Sequence, residues 1–63
     1  MYFEINVSLN GYHYFATAKR SLTNEIAARG MYAVFCEKFP ESDGYRVSLT
    51  RYKESGIRLA DNG

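Results

Sequence analysis

Asn10-Gly11 stands directly after a stretch, Tyr2 to Leu9, in which apolar and polar side chains alternate without a break. Phe3, Ile5, Val7 and Leu9 fall on one side and Glu4, Asn6 and Ser8 on the other, the period of two expected of a half-buried strand at 2–9. Asn-Gly suits a type I′ turn, whose two central residues both need positive φ, so the chain is expected to fold straight back on itself. A two-residue turn sets Leu9 opposite Tyr12, Val7 opposite Tyr14, Ile5 opposite Ala16 and Phe3 opposite Ala18, which gives a second strand at 12–18. The apolar faces of the two strands then coincide, and a one-residue slip would part them. This register leaves Phe15 facing outward, while Ala16 and Ala18 leave room for a helix backbone to come close.

A helix is expected over 22–39. Ser21 or Thr23 can cap it, Glu25 suits its first turn, and Phe39-Pro40 ends it. Ala27, Ala28, Met31, Phe35 and Phe39 recur at three and four residues and form the stripe expected to lie on the sheet. Gly30 costs such a helix about 0.5–1 kcal/mol relative to Ala, so it calls for a reason. Glu41 to Gly44 reads as a turn, and Tyr45, Val47 and Leu49 alternate with polar residues in a third strand at 45–52. Lys53 to Gly56 is a further turn, after which 57–59 can add a short fourth strand, with Asp61-Asn62-Gly63 fraying. The fold class is α+β. A crossing helix returns the third strand antiparallel to the first, which predicts a ββαβ domain over 1–63, strand order 2-1-3, with one helix on one sheet face.

A chain of 63 residues forms a small core, and such domains usually gain stability from disulfides, a metal or association. One cysteine, Cys36, rules out a disulfide within the chain, and with one histidine, His13, the ligands of a structural zinc site are missing. Good local packing and association are the routes left, so the expectation leans toward a protein partner or a homodimer, and no cofactor or metal is expected. An unpaired thiol and the lack of a charged-then-apolar leader after Met1 point to the cytoplasm. The apolar run Met31 to Cys36 is far short of the roughly 20 residues that span a bilayer.

Two surfaces invite a protein partner. One is the far side of the helix, where Leu22, Ile26, Gly30 and Ala33 form a second stripe and the small residues would let another backbone approach. The other is the open sheet face, where Tyr2, Phe15, Arg46 and Tyr52 supply the aromatic and arginine side chains enriched at binding hot spots. Scattered apolar residues on a solvated helix and tyrosines on a pleated surface are the plainer reading of both. Lys19, Arg20, Arg51 and Lys53 gather at the end of the sheet beside the helix N-terminus. With aromatic stacking from the open face, that basic pole could hold single-stranded nucleic acid, although a net charge of +1 lacks the basic excess usual for such binders. His13 and Cys36 fall on different elements, and neither a glycine-rich phosphate loop nor metal-ligand spacing is present, so no enzyme is expected.

No motif diagnostic of a family occurs. In its size, composition and scarcity of linkers and tails the chain looks like the small accessory proteins of phages and other mobile elements. The resemblance covers no particular residues. It implies a non-enzymatic inhibitor, for example an anti-CRISPR-like one, that occludes a surface of a host or defence complex such as a CRISPR effector, a nuclease or a polymerase, without naming the target.

Overall fold

The computed structural model describes residues 1–18 and 21–62, and Lys19, Arg20 and Gly63 lie outside it. Four strands and a helix follow in the order β1 (Tyr2–Leu9), β2 (Tyr12–Ala16), α1 (Glu25–Lys38), β3 (Tyr45–Tyr52) and β4 (Gly56–Asp61), with a single 3-10 turn over Glu41–Asp43. The sheet is antiparallel throughout, ordered β2-β1-β3-β4, with α1 laid over β1 and β3 on one face. The small α+β fold is as expected, and the fourth strand runs over 56–61 where 57–59 was expected.

Asn10 (φ 52°) and Gly11 (φ 87°) make the tight turn that their sequence asks for. The same turn is tied to the far end of the helix connection, because the Asn10 amide donates to the Gly44 carbonyl at 2.9 Å. Gly44 lies at φ 91°, and a Cβ there would run into the Asn10 side chain, so two conditions exclude a larger residue.

Past this turn the expected register fails after two pairs. Leu9 faces Tyr12 and Ser8 faces His13, but Val7 then faces Phe15 and Asn6 faces Ala16, so a β-bulge accommodates Tyr14 as an extra residue. Phe15 therefore moves from the open face to the helix side, where its ring meets Phe35 at 5.7 Å and Phe39 at 5.4 Å. Tyr14 stays on the helix side as expected and packs on Phe39 and Tyr45. Ala16 goes to the open face opposite Asn6, and the strand stops there instead of reaching residue 18. Thr17 replaces the ladder by a local pair, its amide donating to the Ile5 carbonyl at 3.0 Å while its hydroxyl accepts the Ile5 amide at 3.1 Å.

The helix is shorter than expected at its start, and Ser21, one of the two residues offered as caps, is used elsewhere. Ser21 turns back to the Ala18 carbonyl through both its amide and its hydroxyl, and the Leu22 carbonyl accepts the Phe3 amide at 2.7 Å. Asn24 is the cap, its side chain accepting the Ala27 amide at 3.0 Å. At the other end the Phe39 amide closes on the Phe35 carbonyl, and Pro40 stops the helix.

Phe3, Ile5, Val7, Val47, Leu49 and Ala28 are fully buried, with Tyr32, Phe35, Cys36 and Phe39 packed beside them. The inward stripe of the helix is thus Ala28, Tyr32, Phe35, Cys36 and Phe39. Ala27 and Met31, expected in that stripe, are exposed. Of Asp61-Asn62-Gly63, expected to fray, the two described residues are held: Asp61 completes β4, and the Asn62 side chain accepts the Val47 amide at 2.7 Å.

Because Phe15 is a packing residue in an aromatic cluster, Phe15→Ala is expected to destabilise the fold by about 2 kcal/mol or more in chemical denaturation. An exposed Phe15 would give a change within about 0.5 kcal/mol.

Candidate interaction surfaces

The open sheet face is built by the outward positions of all four strands. Tyr2 faces Tyr52 across β1 and β3, Glu4 faces Thr50, Asn6 faces Ser48 and Ser8 faces Arg46. At one end the Tyr2 and Tyr52 rings stack with centroids 5.1 Å apart and planes 16° from parallel. Tyr52 also lies over Gly56, where a Cβ would come within 2.7 Å of its ring. Each ring has therefore spent one face inside the molecule, and both tyrosines are half-buried.

At the other end Asp61 spans two guanidiniums, Arg46 at 3.1 Å and Arg58 at 2.8 Å. These three line a shallow depression of about 280 Å³ together with Asn6, Ser8 and Ser48. Ser48 and Thr50 in central β3 are buried even though no second layer covers them, and no buried side-chain polar atom among the described residues lacks a hydrogen-bond partner. Of the four side chains expected to make a binding face here, Tyr2, Arg46 and Tyr52 share it and Phe15 does not. Arg58 and Asp61, absent from the expected set, come from the fourth strand, and only the full length of β4 could have pointed to them.

The outer side of α1 has a different character. Ile26 is 84% exposed, and Met31 and Val34 are 41% and 43% exposed. Together with Ala27, Gly30 and Ala33, all exposed, they make an apolar surface that runs from the side opposite the packed stripe, at Ile26, Gly30 and Ala33, round to the flank carrying Met31 and Val34. Nothing lies within 4 Å of the position a Gly30 Cβ would take. Glu25 and Arg29 pair with each other at 2.9 Å along one flank, and the exposed Glu37, one turn beyond Ala33, interrupts this side toward the helix C-terminus. Leu22, expected in the outer stripe, is withdrawn from it: it precedes the helix, bridges to Phe3 and packs against the core. Met31 and Val34 take its place, a substitution that follows from the phase of the helix.

Of the expected basic pole, Arg51 and Lys53 belong to the described residues. Lys19 and Arg20 lie outside them. Arg51 sits between Phe3 and Ile57 on the helix side of the sheet, and Lys53 is in the β3–β4 turn. No three of His, Cys, Asp and Glu among the described residues gather closely enough to hold a metal ion. No described helix is long and apolar enough to cross a membrane.

Tyr32 is clearly displaced from its ordinary value. Burial, then a hydrogen bond with Cys36 and the charges of Cys36 and Asp61, push its phenol up to about 12 from 10.0. No family model matches the chain, and no curated protein and no solved structure is significantly similar to it.

Two outcomes follow from these surroundings. Gly30→Ala is expected to raise stability by about 0.5–1 kcal/mol in dilute solution, since the new methyl meets only solvent and helix propensity gains. For Tyr32, a group that holds its proton more tightly when folded contributes fully below pH 10, and that contribution is lost as pH rises from about 10 to about 12. Titration of phenolate absorbance should show one tyrosine ionising near pH 12, and Tyr32→Phe should remove that step.

Proposed function

We propose that this chain is a non-enzymatic protein-binding domain whose main contact surface is the outer side of α1. The observation that carries the reading is Ile26, a large apolar side chain 84% exposed in the first turn of a helix whose opposite side already packs on the sheet. A helix that is apolar on both sides is usually covered on both sides. Ala27, Gly30 and Ala33 keep the surface low, so a partner's backbone could approach closely, while Met31 and Val34 extend it toward β2.

The open sheet face supports the reading less well. Its tyrosines stack on each other and its Arg46 is engaged by Asp61, so much of its binding capacity is directed inward. The surfaces offer recognition without chemistry, in keeping with an accessory protein of a phage or mobile element that inhibits a larger host or defence complex by occlusion. A second reading, single-stranded nucleic acid held on the open face, draws on the Tyr2–Tyr52 stack at one end of that face and the exposed Arg46 and Arg58 further along it.

The test is a capture experiment from nuclease-treated lysate with tagged protein, comparing Ile26→Lys with Tyr2→Ala after both are shown to fold. Ile26→Lys should weaken binding of the captured protein more than tenfold while Tyr2→Ala leaves it unchanged. Loss of the complex on nuclease treatment, with affinity falling steeply as salt rises, would replace this reading with the nucleic-acid one.

A further inference from the structure

The two edges of the sheet are guarded unequally. The β4 edge carries Arg58 and Asp61, joined to each other and to Arg46, and charged side chains on an edge strand oppose the addition of another strand. The β2 edge reads Tyr-His-Tyr-Phe-Ala, with no lysine, arginine, aspartate or glutamate. It exposes two large hydrophobic side chains where the β4 edge exposes one, Ile57 at 51%. Tyr12 is 79% and Tyr14 52% exposed, and the bulge turns Tyr14 and Phe15 to the same side, doubling the aromatic surface beside the helix.

The helix leaves this edge uncovered. It lies over β1 and β3, with Tyr32 and Cys36 on the flank toward β4, where Asp61 still acts on Tyr32, and Phe35 reaching Phe15 on the flank toward β2. Met31, one turn before Phe35 on the same ridge, and neighbouring Val34 therefore border a step between the helix and β2. An added strand would place alternate side chains in that step while its backbone pairs with β2.

We propose that the occupant of the β2 edge is a second copy of this chain, paired β2 to β2 in antiparallel fashion across a two-fold axis. The inference goes beyond the protein-binding reading, because it uses the sheet edge and leaves Ile26, Gly30 and Ala33 outward on both copies. Isologous pairing demands a surface that tolerates its own image, and an edge without charge meets itself without repulsion. A two-fold normal to the sheet puts both helices on one face, so Tyr12 and Tyr14 of each copy rise on the side where the other presents Met31 and Val34. If a tyrosine offers roughly 200 Å², these two at their exposures bring on the order of 250 Å² per copy. With Met31, Val34 and the strand backbones, the pair approaches the roughly 1,000 Å² at which specific interfaces begin. The core, with six fully buried apolar residues, is of the size that association commonly supplements.

The experiment is light scattering coupled to size exclusion in reducing buffer, up to millimolar protein, with amide hydrogen exchange at low and high concentration. The mass should rise toward twice the 7.2 kDa of one chain, with protection increasing in His13 to Ala16 and unchanged in β4. Tyr12→Lys and Val34→Lys, each checked for native circular dichroism, should raise the dissociation constant more than tenfold, and Ile26→Lys should not. A mass of one chain at millimolar concentration would overturn the proposal. So would a dimer that survives Tyr12→Lys and Val34→Lys but dissociates on Ile26→Lys, or one whose new protection lies in β4. A mass of one chain, or new protection in β4, does not bear on whether Ile26 contacts a different protein, whereas dissociation on Ile26→Lys would assign that side of α1 to self-association.

Discussion

Tyr14 and Phe15 together stand opposite the single residue Val7, and this mismatch decides which side chains meet the helix. Without the extra residue, strict alternation would send Phe15 to the open face and leave Ala16 under α1. With it, Phe15 joins Phe35 and Phe39 in edge-to-face contacts, and Tyr14 and Tyr45 close the cluster at the hairpin end. Such contacts add about 0.5–1.5 kcal/mol each beyond area burial, a large share for a domain of this size. The cluster also fixes the C-terminal end of the helix over the start of β3. The Asn10–Gly44 hydrogen bond ties the same end of the molecule together through the backbone.

The phase of the helix follows from both of its ends. Leu22 is held to Phe3 by a backbone bridge, Asn24 then caps, and Phe35 and Phe39 must reach the aromatic cluster. Ala28 is the residue brought down at the closest approach to the sheet, and its small side chain permits that approach. Tyr32 and Cys36 fill the flank toward β4. The remaining large apolar residues of the helix, Ile26, Met31 and Val34, are left on the outside by geometry, and no other described element covers them. The outer side of α1 is thus a consequence of how the inner side packs.

The sequence made the hairpin turn, the helix, the third strand and the fourth legible, because each is written in short-range signals: Asn-Gly, alternation, three-and-four spacing, and Pro40. The bulge was not legible. Nothing in Tyr12 to Ala16 distinguishes one inward aromatic from two, and the choice is made by Phe35 and Phe39, which are distant in sequence. The same reason accounts for Met31 and Ala27, whose apolar character fits the inward stripe as well as Tyr32 and Cys36 do until the position of Leu22 sets the rotation. Of the expected outer stripe, Ile26, Gly30 and Ala33 hold their places, and Leu22 is lost to a backbone bridge that no side-chain pattern encodes. Phe15 is lost from the sheet face to the bulge, while Tyr2, Arg46 and Tyr52 stay because β1 and β3 pair without irregularity.

The uncovered sheet face raises the question of why a central strand can lie open to water on one side. Ser48 and Thr50 are small and polar, and longer neighbours close over them: Tyr52 and the Arg46–Asp61–Arg58 group along the strands, Glu4 and Asn6 across β1. The Glu4 carboxylate accepts from the Asn6 amide at 3.1 Å, so even the outward row of β1 is internally bonded. A sheet face composed in this way needs no second layer. The apolar surface that does lack a cover is displaced to the helix side, onto α1 and the β2 edge. Polar satisfaction on one face and apolar excess on the other divide the molecule physically, and the division places the demand for a partner on the helix side.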